Sequence, residues 1–217
     1  MGQNSSVSST DWDQSAEAWA EFVKNVDPNR EYVLDPAILR LLGDVSGKRV
    51  LDVGCGEGRF CRLLSERGAT TMGVDPTAEL LRMAREADPT GEYQKAGAEK
   101  LPFADNEFDV VVSYVVLCDV VEYSAAVKEM ARVCKPGGQI VVANVAPYRT
   151  AYMKGWLKDE DGNKLHVPMD HYRHEQGAML EWKGIKVVNY HRSFEDSLAP
   201  FLESGLVMTG FEEPIPT

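Results

Sequence analysis

Between positions 50 and 60 the chain reads VLDVGCGEGRF. An aliphatic run carries Asp52, glycines follow at 54, 56 and 58, and Phe60, Leu63 and Leu64 then fall at helical spacing. Glycines at such a junction let a ligand approach the backbone where a Cβ would collide, and the start of the helix offers free N–H groups. Asp75 ends the next aliphatic run, TTMGVD, 21 positions after Gly54 (75 − 54). A carboxylate there can accept hydrogen bonds from both hydroxyls of a ribose. The two features together predict a ligand built on a nucleoside. The spacing is GxGxG, with the third glycine one position earlier than in the GxGxxG of dinucleotide sites.

A second group of reactive side chains lies far downstream. The four histidines, His166, His171, His174 and His191, all fall in the C-terminal third. Histidine titrates near neutral pH, so a base that deprotonates a bound molecule is expected first at His171 or His174 and second at His191. Tyr148 and Tyr172 are the expected pocket walls. The alternative for each histidine is a surface or hydrogen-bonding structural role. The cysteines, Cys55, Cys61, Cys118 and Cys134, form no CxxC pair. They read as buried reduced thiols of a cytoplasmic protein, and no metal site is expected.

The elements that must position these groups alternate in type. RVLDV, TTMGVD, a short run around Tyr93, FDVVVSYVV and QIVVANV read as buried strands, and apolar residues at helical spacing separate most of them. Such alternation predicts an α/β fold, a Rossmann-like, doubly wound and mostly parallel sheet in a single domain. The turn Lys135-Pro136-Gly137-Gly138 is expected to reverse the chain before the fifth strand. Residues 1–45 form an N-terminal cap, with Trp12, Ala16, Trp19, Ala20 and Val23 on one helical face. Residues 46–146 form the ligand-binding core. Residues 147–185 lack a clean period and are expected to cover the substrate. Residues 186–217 are predicted as strand, helix and final strand, with Ser193 and Asp196 at capping-box spacing and Leu198, Phe201 and Leu202 on the buried face. With the last strand antiparallel after the Gly205 turn, the sheet is expected to have seven strands.

The net charge is −11, which disfavours phosphate backbones and anionic lipid as partners. No stretch approaches the roughly 20 apolar residues that span a bilayer. The opening MGQNSSVSST is polar and lacks the order of a secretory signal, so it is expected to be a frayed tail. Its Met-Gly start with Ser6 fits a myristoylation pattern only nominally. The expected partner is a small-molecule acceptor, with neither nucleic acid nor membrane, and nothing in the sequence assigns an oligomeric state.

VLDVGCGEG, GVDPT, LPFADNEFDVVVS and ARVCKPGG together resemble the motifs of the class I S-adenosylmethionine-dependent methyltransferases, the group with ubiquinone-methylase-like motifs. The resemblance covers residues 47–145, and YHR, FLESG and EEP extend it weakly toward the C-terminus. It implies S-adenosylmethionine as cofactor and methyl transfer, O- or N-methylation, to a small acceptor by in-line displacement. It further implies that Gly54, Cys55 and Gly56 line the methionine part and that Asp52 helps hold its amino group. Asp75 would bind the ribose, and Pro76 would pack near the adenine. Ser113 and its neighbours would sit beside the amino acid moiety, with Trp12 and Trp19 capping the site or packing in the core. Many relatives carry an Asp just before the alanine that matches Ala98. Here that place is Gly97, so the adenine contact is expected from Glu99 or from the backbone around Ala98. An oxidoreductase using NAD(P), or a non-methylating protein on the same scaffold, are the alternative readings.

Overall fold

The computed structural model describes residues 9–24, 27–152 and 156–215, so most of the polar N-terminal tail and Ser6 lie outside the described residues. Helix α1 (Ser9–Lys24) leads through a single π-helical turn (Arg30–Leu34) into α2 (Asp35–Leu42), which Gly43 ends with φ +64°. Then β1 (Arg49–Val53), α3 (Arg59–Ser65), β2 (Thr70–Asp75), α4 (Ala78–Ala87), β3 (Glu92–Lys95), β4 (Phe108–Tyr114), α5 (Tyr123–Val133) and β5 (Cys134–Ala143) alternate as expected. The five strands form one sheet in the order β3-β2-β1-β4-β5, with every pairing parallel.

Alternate residues of the central strands bury opposite faces, which is why these runs are continuously apolar. Leu51, Val53 and Val111 pack with Ala126, Val127 and Met130 of α5 on one face. Val50, Val110 and Val112 pack with Ile38 and Leu42 of α2 and with Phe60 and Leu64 of α3 on the other. Each such side chain contributes roughly 1.5–3 kcal/mol by leaving water. Both faces are therefore covered, as a doubly wound sheet requires.

Three details depart from expectation. The Lys135-Pro136-Gly137-Gly138 segment is a bulge within β5: β4 advances from Phe108 to Val110 while β5 advances from Cys134 to Gln139. Among the described residues the central sheet has five strands, because residues 206–211 join no strand and the expected antiparallel strand is absent there. Antiparallel pairing occurs instead in a separate hairpin, β6 (Gln176–Trp182) with β7 (Ile185–His191). Its turn residues Lys183 and Gly184 have φ +49° and +81°, the double positive φ that matches the twist of a tight hairpin. The end of the segment that looked irregular is thus a strand, with a short helix α6 (Pro147–Thr150) at its start.

Helix α7 (Phe194–Glu203) begins as its sequence predicts, with the Asp196 N–H donating to Ser193 Oγ at 3.2 Å. Leu198 and Phe201 are half-buried, but Leu202 is 55% exposed and leaves the expected buried face. No helix among the described residues is long and apolar enough to cross a membrane.

Candidate active site

Parallel pairing brings the carboxyl ends of β1, β2 and β4 to one edge of the sheet, where open α/β sheets bind ligands. A cleft opens there, with about 1140 Å³ of space including its mouth and the solvent in it, on the side where small-molecule sites of such folds form. Its floor is the loop after β1. The N–H groups of Gly54 and Cys55 both donate to Val74 O, at 2.8 and 2.9 Å. A Cβ on Gly54 would lie 2.4 Å from the Val116 side chain, and one on Gly58 would lie 2.6 Å from the Tyr93 hydroxyl. These two glycines therefore admit protein neighbours rather than a ligand. Gly56 alone of the three faces open space, its nearest obstacle being Trp19 Nε1 at 3.8 Å.

Asp75 caps this loop from the end of β2. Its Oδ2 accepts from the Gly56 N–H at 3.0 Å and its Oδ1 from the Thr77 N–H at 2.8 Å. Burial raises its pKa, and these backbone donors oppose that rise. The Thr77 side chain is a further hydrogen-bond partner, and the carboxylate, with about four acceptor sites, keeps capacity for one more donor. Asp52 is deeper, at 1% exposure. Cys61 Sγ donates to its Oδ2 at 3.4 Å, while Oδ1 has no partner among the described residues. Burial pushes its pKa up to about 7, and the neighbouring Asp75 and Glu57 charges add to the rise.

Cations stand opposite these acids. Arg59 binds Asp35 through two hydrogen bonds of 2.8 Å, and the Tyr114 hydroxyl donates to the same carboxylate at 2.7 Å. Burial pushes Asp35 upward, but these bonds outweigh it and hold its carboxyl below the usual range. Arg30, in the π-helical turn, lies over the Trp19 ring at 4.7 Å and is paired only loosely with Asp27 at 3.7 Å. At the far end, Pro76, Ala98 and Glu99 line the cleft. A Cβ on Gly97 would lie 2.7 Å from Glu99 Oε2, so the Glu99 carboxylate occupies the place beside Gly97.

The roof comes from distant segments. Trp12 and Trp19 line the cleft and stack edge-to-face at 5.4 Å, and Trp19 Nε1 donates to Glu57 Oε2 at 3.1 Å. Ser15 ties α1 to β7, its hydroxyl donating to Lys186 O at 3.1 Å and accepting from the Lys186 N–H at 3.0 Å. The loop after β4 enters through Val115, whose φ of +59° is a strained value for a β-branched residue. That turn lays Val116 against Gly54 and brings Asp119 into the cleft wall. Asn189 Nδ2 donates to Asp119 Oδ1, and the Trp12 side chain hydrogen-bonds the same carboxylate.

Of the residues expected at the cofactor, Asp52, Gly54, Cys55, Gly56, Asp75, Pro76, Ala98, Glu99 and Trp19 all line this cleft. Ser113 does not. It is fully buried within β4, paired in register with Val142, because the strand continues to Tyr114 before the chain turns. The histidines are not in the cleft either. His191 is fully buried, with Nε2 2.8 Å from Tyr172 O and Nδ1 2.7 Å from Thr150 Oγ1, so both nitrogens serve to pin the covering segment. Tyr172 turns inward for that bond, and its hydroxyl accepts from the Phe194 N–H at 3.0 Å. His171 and His174, on the same tight turn, consequently face solvent, as does His166. Tyr148 is 46% exposed beside Glu213 rather than a pocket wall. Sequence reasoning missed Arg30, Asp35, Arg59 and Asp119. The charged pair Asp35 and Arg59 left a trace, flanking a helix start and the glycine loop, but Arg30 and Asp119 lie in no motif.

Comparison with known proteins agrees with this geometry. The methyltransferase domain family matches residues 51–142. A solved S-adenosylmethionine dependent methyltransferase from Mesorhizobium loti shares 32% identity over 84% of each chain, with a TM-score of 0.75. A second solved structure, from Listeria monocytogenes, shares 27% identity over 94% of this chain and 87% of its own, with a TM-score of 0.76. The demethylmenaquinone methyltransferase of Renibacterium salmoninarum is 36% identical over 53% of this chain and 51% of its own length. The chain spans about half the length of the curated relatives it matches at 36–38% identity. On the family match, the shared fold and the residues at the strand ends, the chain belongs to the S-adenosylmethionine-dependent methyltransferases.

Proposed function

We propose that this chain transfers the methyl group of S-adenosylmethionine to a nitrogen or oxygen of a small molecule held beneath α1 and β7. The observation that carries this reading is Asp52 Oδ1, a buried carboxylate oxygen at the cleft without a hydrogen-bond donor. Leaving such an atom unpaired is costly, and a ligand ammonium supplies the missing donor and charge. The other residues fit the same cofactor. Arg30, lightly held, would meet its carboxylate. Asp75 has acceptor capacity left for a ribose hydroxyl. Pro76 and Ala98 would flank the adenine, and Glu99, folded over Gly97, would accept from its amine.

When bound, the cofactor supplies a methyl carbon activated by a sulfonium. The protein then has to hold the acceptor about 3 Å from that carbon and in line with it. The apolar walls formed by Val115, Val116, Val120 and the two tryptophans exclude water. A small acceptor is supported by the concave cleft and by the net charge of −11, which disfavours polyanions.

The test is incubation with methyl-tritiated cofactor and a panel of amines, phenols, alcohols, thiols and carbon nucleophiles, with S-adenosylhomocysteine binding measured by calorimetry. Label should enter at least one compound, with S-adenosylhomocysteine accumulating in step. Tight binding without transfer to any compound class would overturn the reading in favour of a non-methylating role.

A further inference from the structure

Three separated segments converge on Asp119. It sits in the loop between β4 and α5, and its N–H donates to Val116 O at 2.8 Å, which closes a tight turn. From β7, Asn189 donates to its Oδ1, and from α1 the Trp12 side chain adds a further hydrogen bond. The loop itself is clamped. The buried Arg192 guanidinium donates to Leu117 O at 3.2 Å, Val120 O at 2.7 Å and Val121 O at 3.1 Å, and the Tyr190 N–H donates to Cys118 O at 2.6 Å. Asp119 is thus fixed on both sides along the backbone and, on its side chain, by partners from α1 and β7.

What the site lacks is a cation. Among the described residues, none forms an ion pair with Asp119. Its side-chain partners are an amide, an indole and the Cys118 thiol at 3.5 Å. A carboxylate held rigidly by neutral donors, at the wall of a reaction cleft and without a counter-charge, retains both its basicity and its position. The fold also builds it at some expense, through the strained Val115 turn and a dedicated contact from each roof element. No such arrangement surrounds any of the four histidines.

On the reading of this cleft as a methyl-transfer site, we infer that Asp119 is the catalytic base, and that the acceptor therefore carries an N–H or O–H at the atom to be methylated. As the acceptor lone pair forms the new bond to carbon, the carbon–sulfur bond breaks and its electron pair stays on sulfur. The N–H or O–H proton passes to an Asp119 oxygen and from there to solvent. Asn189 and Arg192 are positioning residues, acting through the carboxylate and its loop. Burial pushes the Asp119 pKa up to about 7, so the base is poised for neutral pH. The titratable groups set against it are the Cys118 thiol on its own loop and the Asp75 carboxylate from β2, whereas the facing partners from α1 and β7, Trp12 and Asn189, do not titrate.

The experiment combines turnover, cofactor affinity and direct titration in the full chain. Asp119→Asn is close to isosteric and should lose at least ~100-fold in kcat on whichever amine or hydroxyl compound the wild type methylates. Its S-adenosylhomocysteine affinity should stay within about threefold, and Asp119→Glu should recover part of the lost turnover. In the ligand-free protein, carbon-13 carboxyl NMR should find a titration near pH 7 that is missing from Asp119→Asn. Asn189→Leu removes a donor to the charged form, so it should move both that midpoint and the rising limb of the rate profile to higher pH. Asp119→Asn with turnover within threefold of wild type would refute the assignment, as would an Asp119 midpoint near the ordinary ~4. Methylation confined to sulfur or carbon acceptors, or a limb that Asn189→Leu leaves in place, would refute it too. In any of these cases methyl transfer itself would stand, whereas wild-type protein that labels no compound at all sinks the underlying reading and this assignment with it.

Discussion

On the floor of the cleft, Asp75 reaches back 19 positions to the Gly56 N–H. On the roof, Asp119 meets Asn189 70 positions away and Trp12 at a separation of 107 (119 − 12). The floor is made by two adjacent strand–helix units, in which backbone geometry dictates residue type at almost every step. The roof is made by α1, the β4–α5 loop and a hairpin that meet only after the sheet has formed. If Asp75 and Asp119 act as proposed, the contrast teaches that cofactor binding and acceptor chemistry lie on different layers of this fold and can be perturbed separately.

The largest expected effect is on the floor. Gly54→Ala puts a Cβ 2.4 Å from Val116 at a φ of +78°, combining overpacking with backbone strain. It should destabilise the chain by about 3–4 kcal/mol in urea unfolding. Gly56→Ala, which meets no atom closer than 3.8 Å, should cost only ~1–2 kcal/mol for its positive φ yet weaken S-adenosylhomocysteine. If both variants lose stability equally, the division between packing glycine and ligand-facing glycine is wrong.

Asp52→Asn should weaken S-adenosylhomocysteine by about 1.5–3 kcal/mol in calorimetry, because a charge-assisted bond to its ammonium is lost. The same change should raise the melting temperature of the ligand-free protein at pH 8. A buried acid whose folded pKa lies near 7, above its unfolded value, favours the fold when protonated, and that contribution is lost as pH rises toward 7. Opposite signs for affinity and stability would mark Asp52 as a binding group kept against the interest of the fold.

Proton linkage follows from the same group. Pairing with an ammonium lowers the pKa of Asp52, so cofactor binding should expel a proton. Affinity should then fall by up to about tenfold per unit as pH drops below 7, and flatten above it. Calorimetry in buffers of different ionisation enthalpy reads the proton directly. A pH-independent affinity between 5.5 and 7 would remove Asp52 from the ammonium site.

The roof histidines should give the smallest effects. His191→Gln breaks a buried pair of hydrogen bonds and should cost ~1–3 kcal/mol of stability without weakening cofactor binding. His171→Gln and His174→Gln should stay within ~0.5 kcal/mol and leave turnover unchanged. A turnover loss at either exposed histidine would move the base off Asp119 and onto the covering segment.

The legibility of the sequence divides along the same line. Asp52, the glycine loop and Asp75 could be read because few other residues tolerate those positions. Even there, the reason assigned to Gly54 and Gly58 changed from ligand approach to close protein packing, a distinction that needs Val116 and Tyr93 in place. The β6 strand escaped notice because its alternate residues are only half-buried and its turn is Lys-Gly rather than one of the strongest hairpin pairs. Asp119 sits inside VVLCDVV, an apolar run whose one acid has no motif around it, and only the folded loop shows which way it faces. The histidines attracted attention by titration range alone, and range says nothing about direction.

The π-helical turn at Arg30–Leu34 has a consequence for how this site could be gained or lost. The Asp35 N–H bonds Arg30 O, five residues back, so this turn holds one residue more than an α-helical turn would. Deleting a single residue, Val33 for example, would let α2 continue regularly backward without disturbing its own packing. Everything before it would swing by about 100° around the helix axis, carrying the Arg30 guanidinium and the Trp19 ring beneath it away from the cleft together. One codon is thus enough to switch this cation in or out of the site, a change of register rather than of residue.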